Sequence, residues 1–384
     1  MVDIAPFDGL LYDPARTGDL AAVTSPPYDV VLPHDRDRLH GSSPYNIARV
    51  DLGADVPGED KYTEAARLLR RWRDEGVLVS VGTPSVYPYE MAFAYQGAAR
   101  RVRGVILEVA LEPWGRGVLP HERTMSAPVE DRLRLLRATR ADLSPIYAVA
   151  GGPSTAQAAL LDRAAGRPPD RELVDEEGTT HRLWAEILPP GLADWYRDQT
   201  LLVADGHHRY QTSLTHREEM RAREGPGPWD GVMMLVVDAA AEDPPVLPIH
   251  RLSRGPLPEL DGERVRSLDE ILLRLTDDDL RFGAAFREDG GLVHLVGRVE
   301  GQPPTVAAVH RAVLDHLSGD LRFVPDAAMA EAAVRSGEAD LAVFLPPARV
   351  AHVRAVVARG DRLPQKSTYF WPKPRTGLVL RPHA

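Results

Sequence analysis

The chain has 384 residues, of which 43% are hydrophobic and 27% charged, and its formal net charge is −10. This length exceeds that of most single domains, so we expect two lobes. The acidic charge disfavours broad nucleic-acid binding, and the absence of cysteine excludes a thiolate nucleophile and a Cys-ligated metal. No apolar run reaches the roughly 20 residues that cross a bilayer, and the N-terminus does not resemble an export signal. We therefore expect a cytoplasmic protein with a small-molecule substrate, bound to neither nucleic acid nor membrane, and leave its oligomeric state open.

Apolar periodicity predicts helices and strands in alternation. The pattern from Tyr62 is typical of an amphipathic helix that ends at Gly76. The apolar run 101–111 predicts a buried strand, and a Pro-containing loop at 118–130 precedes a predicted helix from Asp131. This alternation indicates an α/β or mixed α+β fold. Farther along, the same criteria predict strands at 200–206, 230–238 and 339–347, and helices at 207–224 and 348–361.

The Pro-containing segment 239–248 is the candidate domain boundary. It predicts a core at residues 1–240 and a C-terminal α/β lobe at residues 241–384, which ends in the loop PQKSTYFWPK. A single integrated unit stays open as the alternative.

The run Asp205-Gly206-His207-His208-Arg209 follows a predicted strand and opens a predicted helix. A strand, a glycine turn and a helix start place several backbone N–H groups and the positive end of a helix dipole at one point. Gly206 lets the backbone approach a ligand closely, and arginine can hold phosphate oxygens in bidentate fashion. The pattern predicts a phosphate cradle made of Gly206, His207, His208 and Arg209.

Asp205 complicates this prediction, because a carboxylate repels a phosphate unless something lies between them. A divalent cation or a transferable proton would remove the conflict, so Asp205 is a candidate Mg²⁺ ligand or general base. Helix capping by an Asp-Gly turn is the structural alternative. Zinc is disfavoured, because His207 and His208 would point about 100° apart on a helix. The run HERTM from His121 also has methionine where a zincin motif needs its second histidine.

Two further segments supply candidates for catalysis and phosphate binding. Phosphorylation of an alcohol needs a base near the hydroxyl, and Glu122 is the candidate; a surface glutamate is the alternative. His121, beside Glu122, is a candidate substrate contact. Lysine is scarce in this chain, and a compact ammonium is not interchangeable with a guanidinium. The run Lys366, Ser367 and Thr368 is therefore a candidate phosphate contact, although the glycines of a Walker loop are missing.

Polar residues near the N-terminus are candidates for substrate binding. Tyr28, Asp29, Asn46 and Arg49 lie in predicted loops and could recognise the ammonium and carboxylate groups of an amino acid. Turn formation and helix capping explain the same four residues equally well.

Six separated blocks resemble, in order, the family catalogued as domain of unknown function number 1015. The resemblance runs from about residue 3 to residue 381 and implies nothing specific about activity. The blocks are TSPPYDVV, PYNIARVDL, LPHERT with DRLRLLRATRADLSPIY, ADGHHRYQT, LPIHRL and PQKSTYFWPKPRTGLVLR.

A shorter resemblance links the box at Asp205–Arg209 to the superfamily of ParB, sulfiredoxin and the free-serine kinases. It implies a ParB/sulfiredoxin-like phosphate-binding core with a large additional α/β lobe. It also implies a magnesium-dependent, nucleotide-binding kinase of amino-acid metabolism, with ATP, ADP or pyrophosphate as donor and free L-serine as the favoured acceptor. A phosphate-ester hydrolase with the same cradle, or a non-enzymatic nucleotide-binding regulatory protein, stays open.

Overall fold

The computed structural model describes the chain except residues 55–57, 59, 123–125 and 384. The chain forms two compact units. The first contains Met1–Pro120, Thr124–Asp243 and Pro372–Ala384, and the second contains His121–Arg123 and Pro244–Trp371. The contiguous division predicted at residue 240 differs from this arrangement, because the C-terminal segment returns to the first unit. There strand β21 (Arg381–Pro382) pairs with β7 (Ala141–Asp142), a long-range contact that local sequence does not announce.

The first unit is organised around one mixed sheet, in which the strand order is β6-β11-β8-β12-β5-β4-β10-β9 and β1 pairs with β5. Two further strand pairs, β2 with β3 and β7 with β21, lie outside this sheet. The strands of the first unit are β1 (Ile4–Ala5), β2 (Leu10–Tyr12), β3 (Leu78–Ser80), β4 (Tyr87–Tyr95), β5 (Ala98–Ala110), β6 (Val118–Pro120), β7, β8 (Ile146–Ala150), β9 (Arg171–Val174), β10 (Thr180–Leu183), β11 (Leu201–Asp205), β12 (Gly231–Asp238) and β21. Its helices are α1 (Pro14–Thr17), α2 (Leu20–Val23), α3 (Pro33–Ser42), α4 (Ala48–Asp51), α5 (Lys61–Asp74), α6 (Ser126–Thr139), α7 (Thr155–Ala165), α8 (Leu192–Arg197), α9 (His207–Glu224) and α10 (Ala239–Glu242).

Strand β11 lies inside this sheet, parallel to β6 and antiparallel to β8. All five of its residues are buried. A continuous run of apolar residues, such as the Leu, Val and Ala residues that begin this strand, is typical of strands covered on both faces. Helix α9 follows it directly and packs Tyr210 and Leu214 into the core of the sheet. The end of β11 and the start of α9 are therefore held by the apolar core of the first unit.

The second unit has its own six-stranded antiparallel sheet, ordered β15-β17-β16-β19-β14-β18. Separate apolar cores lie on its two faces, one around Phe282 and Val309 and the other around Ile271 and Phe344. Strands β13 and β20 pair with each other outside this sheet. The strands of the second unit are β13 (Val246–Leu247), β14 (His250–Ser253), β15 (Glu263–Val265), β16 (Arg281–Glu288), β17 (Gly291–Arg298), β18 (Arg322–Val324), β19 (Leu341–Phe344) and β20 (Tyr369–Phe370). The helices of the second unit are α11 (Leu268–Arg274), α12 (Thr305–Ala312), α13 (Ala327–Ser336) and α14 (Val350–Ala358).

The mixed α/β class predicted from the sequence is confirmed, as are the predicted helices and strands in order. The predicted loop at 118–130 was wrong at both ends, since β6 occupies its start and α6 already begins at Ser126. A proline is tolerated in the first turn of a helix, so a Pro-containing segment need not be a loop. None of the helices in the described part of the chain is long and apolar enough to span a membrane.

Candidate functional site

The turn between β11 and α9 depends on the glycine at its centre. Gly206 has φ 96°, a left-handed conformation that other residues rarely adopt. A Cβ atom at this position would also lie only 3.0 Å from the Nη2 atom of Arg209. Helix α9 begins at His207, and the N–H of Tyr210 donates to the carbonyl of Gly206 to close the first turn. The turn therefore presents the positive end of an 18-residue helix at the end of a buried strand.

The Asp205 carboxylate is buried and paired with two cations. Its Oδ2 accepts a hydrogen bond of 2.7 Å from Arg209 Nη2, and its Oδ1 accepts one from Lys373 Nζ. Burial alone would raise the pKa of Asp205, but Lys373 and Arg209 outweigh it and hold that pKa well below its ordinary value. One carboxylate and two cations leave this group, which we call the Asp205 cluster, with one net positive charge.

The contacts of Asp205 disfavour the predicted roles of general base and Mg²⁺ ligand, which stay predictions. A carboxylate whose pKa is depressed by two ion pairs is a weak base, and both of its oxygens already face cations. The role that the contacts support for Asp205 is to anchor Arg209 and Lys373 beside the turn.

Arg209 ties the turn to the neighbouring strand. Its Nη1 donates to Ser144 Oγ at 2.7 Å and to the carbonyl of Pro145 at 2.8 Å, while Nη2 holds Asp205. Both ends of the guanidinium fork are thus engaged by the protein, and the predicted bidentate grip on phosphate is not the geometry observed. The remaining Nε atom is buried and has no hydrogen-bond partner among the described residues.

The two histidines of the box are partly exposed at the first turn of α9. The ring of His207 stacks on Trp114 with 6.2 Å between centroids and 25° between planes. Trp114 is itself fixed by Tyr210, at 4.3 Å between centroids, and by a 2.9 Å hydrogen bond from its Nε1 to Gln211. His207 also lies close enough to Asp205 to help lower the pKa of that carboxyl. An aromatic support therefore orients an imidazole next to the Asp205 cluster.

A cavity that opens to solvent lies beside the Asp205 cluster in the first unit. Arg132 crosses one wall, with its guanidinium 4.3 Å from the centre of the Tyr28 ring and its Nη1 donating to Asp51 at 2.7 Å. Arg209 and Ser144 line the same space. The apolar part of the wall consists of Leu135, Leu136, Ala141, Leu143, Ile146 and Val232.

Of the four substrate-binding candidates near the N-terminus, Tyr28 lines this cavity and Asp29 is exposed. Asn46 is fully buried, and its amide nitrogen donates to the carbonyls of Ala22 and Thr24 while its oxygen accepts from Ala48 N. These contacts favour the turn and capping alternative for Asn46, and its substrate-binding role stays a prediction.

Arg49 likewise serves the local backbone. Its Nε donates to the carbonyl of Ser43 at 3.1 Å, and its Nη2 donates to the carbonyl of His40. Both carbonyls lie at the end of α3, so the guanidinium caps that helix. These contacts favour the capping alternative for Arg49, and its substrate-binding role stays a prediction.

The remaining predicted site residues belong to the second unit. His121 is buried, its Nε2 lies 2.6 Å from Thr368 Oγ1, and the hydroxyl of Ser367 donates to the carbonyl of Pro364 at 2.5 Å. Lys366 is exposed, with φ 54°. The structure thus brings His121 and Thr368 together, but roles for Glu122, Lys366, Ser367 and Thr368 in phosphate chemistry stay predictions.

Most of the chain matches one known protein family. Residues 4–288 match the family described as protein of unknown function DUF1015. The chain belongs to this family. The match includes the box and the cavity wall but ends before Lys373, which lies in the C-terminal segment of the first unit.

Several solved structures resemble part of this DUF1015 chain. A free serine kinase in complex with AMP has 14% identity and a TM-score of 0.37, over 71% of this chain and 92% of its own. A conserved hypothetical protein from Pyrococcus furiosus has 14% identity and a TM-score of 0.35, over 71% and 92%. C-terminally truncated SbnI from Staphylococcus aureus has 12% identity and a TM-score of 0.36, over 71% and 87%. Similarity at this level assigns no activity, and no curated protein matches the sequence.

Sequence reasoning missed four side chains that the DUF1015 fold brings to the box: Asp51, Arg132, Ser144 and Lys373. Lysine scarcity was the one available signal for Lys373, and it pointed equally to Lys366. The lysine that contacts Asp205 is Lys373. Asp51 and Arg132 form an ion pair across 81 positions, which no local pattern reveals.

Proposed function

We propose that this protein is a small-molecule kinase that transfers a phosphoryl group from ATP, ADP or pyrophosphate to a hydroxyl group, with free L-serine as the favoured acceptor. The observation that carries the proposal is the Asp205 cluster at the start of α9. The resemblance of the Asp205–Arg209 run to the free-serine kinases suggests the acceptor.

The cluster supports phosphate binding because cations outnumber the carboxylate. Arg209 and Lys373 convert the one negative charge of Asp205 into a net positive charge, without a metal ion or a proton between carboxylate and phosphate. The N-terminus of α9 adds the equivalent of roughly half a positive charge. Left-handed Gly206 allows a ligand to approach the backbone of the turn. Such donors, fixed before the reaction, stabilise the charge that develops during phosphoryl transfer.

The proposed reaction forms one bond and breaks one. The acceptor oxygen attacks the terminal phosphorus of the donor, the bond between that phosphorus and the leaving phosphate oxygen breaks, and the hydroxyl proton passes to a base. His207 and His208 are proposed to donate to the phosphoryl oxygens from the first turn of α9. Because Asp205 is occupied by two cations, no protein-held Mg²⁺ site is proposed at the cluster. Magnesium is included in the assay as the usual counter-ion of the donor.

Phosphorus NMR tests the proposal directly. Purified protein is incubated with L-serine, Mg²⁺ and, in separate samples, ATP, ADP and pyrophosphate. A phosphoserine resonance with at least one donor is the expected result. His207→Ala should reduce its rate of appearance at least tenfold, because it removes the imidazole stacked on Trp114. His34→Ala changes an exposed histidine of the same unit and is the matched control.

The other outcomes separate the alternatives. Inorganic phosphate without phosphoserine identifies a hydrolase that uses the same cradle. Thermal stabilisation by a nucleotide without turnover identifies a nucleotide-binding regulatory protein. Absence of phosphoserine with all three donors contradicts the serine-kinase proposal.

A further inference from the structure

The cavity beside the Asp205 cluster contains a buried carboxylate oxygen that the protein leaves unsatisfied. Asp51 is 5% exposed, and its Oδ1 accepts the 2.7 Å hydrogen bond from Arg132 Nη1. Its Oδ2 has no hydrogen-bond partner among the described residues. An unsatisfied buried charged oxygen is costly, so such an atom is normally matched by a donor. Asp51 also lines the cavity, so a ligand bound there is the candidate for that donor.

Arg209, which lines the same cavity, has a hydrogen-bond donor atom that is also unmatched. Arg209 Nε is buried and has no hydrogen-bond partner in the described part of the chain, while Nη1 and Nη2 of the guanidinium are engaged. One unmatched acceptor atom and one unmatched donor atom thus belong to two residues that line a single cavity, with apolar residues such as Ile146 and Val232 in its wall. A molecule with both an ammonium and a carboxylate group complements this pair.

We propose that this cavity is the acceptor pocket and that it selects amino acids, with Asp51 Oδ2 accepting hydrogen bonds from the substrate's ammonium group and Arg209 Nε donating to its carboxylate. The inference rests on the proposed kinase function and deepens it, because it names the group of the acceptor that is recognised. Asp51 is then a specificity-determining residue, which distinguishes L-serine from the hydroxy acid L-glycerate.

The charges around Asp51 suit this role. Burial raises the pKa of Asp51, and Arg132 and Arg209 only partly oppose that effect. An ammonium group would supply a further compensating charge at Oδ2. Arg132 is held on its other side by Asp131, through hydrogen bonds of 2.9 Å and 2.5 Å, so the guanidinium stays in place when Asp51 is altered.

Isothermal titration calorimetry with L-serine and with L-glycerate, which has the same configuration and a hydroxyl in place of the ammonium group, tests the inference on the full chain. Wild type should bind L-serine at least tenfold more tightly than L-glycerate. Asp51→Asn should abolish that preference, because it keeps the shape of the side chain and removes the charge. Asp131→Asn is the matched control: it also removes a carboxylate that contacts Arg132, and it should keep the preference for L-serine.

Two further comparisons keep the result interpretable. Asp51→Glu keeps the carboxylate and should retain the preference for L-serine at lower affinity, which a purely structural role would not require. If Asp51→Asn does not fold, the wild-type comparison decides: equal binding of L-serine and L-glycerate, or binding of neither at millimolar concentration, overturns the inference. A preference for L-serine that persists in Asp51→Asn overturns it as well. Ammonium-selective binding without phosphoserine formation would instead contradict the kinase proposal and leave the pocket assignment standing.

Discussion

Replacing Lys373 by methionine tests the Asp205 cluster most directly, because methionine keeps most of the aliphatic stem and removes the charge. The side chains of Lys373 and Asp205 are only 10% and 9% exposed. Removing one partner of a buried ion pair typically destabilises a protein by about 3–5 kcal/mol. Arg209 remains 2.7 Å from Oδ2 in the variant, so part of the compensation survives. We therefore expect Lys373→Met to lower the free energy of unfolding by about 3 kcal/mol.

Urea unfolding measures this change, and the chain supplies a matched control. Lys61 pairs with Asp131 at 2.9 Å in the same unit, but their side chains are 30% and 32% exposed. Lys61→Met should therefore cost less than about 1 kcal/mol, as exposed pairs do. In an Asp205→Asn background, Lys373→Met should lose most of its effect, because no buried carboxylate is left to compensate. Equal costs for Lys373→Met and Lys61→Met would refute the buried cluster.

Loss of the Lys373 charge should also weaken donor binding. The net charge of the cluster falls from one positive charge to zero, and we expect ADP or pyrophosphate affinity to drop roughly tenfold, about 1.4 kcal/mol, in calorimetric titrations. Donor affinity unchanged by Lys373→Met, in a variant shown to be folded, would separate the cluster from phosphate binding.

Two further predictions concern the backbone of the turn and the second unit. Gly206→Ala should destabilise the protein by about 1–3 kcal/mol in urea unfolding, because alanine disfavours φ 96° and its Cβ would displace Arg209. Gly225→Ala, at the other end of α9 with open space around it, is the control for glycine strain alone. Equal donor affinity in the two variants would contradict a role for the turn. In the second unit, burial, aided by Arg251, lowers the pKa of His250 to about 4, and His250 Nδ1 accepts a 3.2 Å hydrogen bond from the N–H of Leu345. The unfolded state therefore binds the proton more readily, and stability should fall as the pH drops from about 6.5 through about 4, by up to about 3 kcal/mol. His250→Asn should reduce this pH dependence and exposed His316→Asn should not, so an identical acid-unfolding profile for wild type and His250→Asn would count against the buried imidazole.

The sequence by itself determined the local elements and the position of the box. Helix α9 spans the stretch predicted for it, because a glycine that permits left-handed φ precedes it and apolar residues recur at helical spacing. Strands β11 and β12 were equally readable, since buried strands are uninterrupted apolar runs. Periodicity, turn chemistry and composition act over a few residues, so the chain order of the elements followed from them.

Only the tertiary structure brings Lys373 to the Asp205–Arg209 box. Asp205 and Lys373 are separated by 168 positions and are joined only because the C-terminal segment returns to the first unit. The same packing buried Asn46 in contacts with its own backbone and gave Asp51 a place in the cavity wall. A side chain's polarity shows that it needs partners, but burial decides whether those partners come from the protein or from a ligand. For Asp205 the partners are Arg209 and Lys373, and for Asp51 Oδ2 the proposed partner is the substrate.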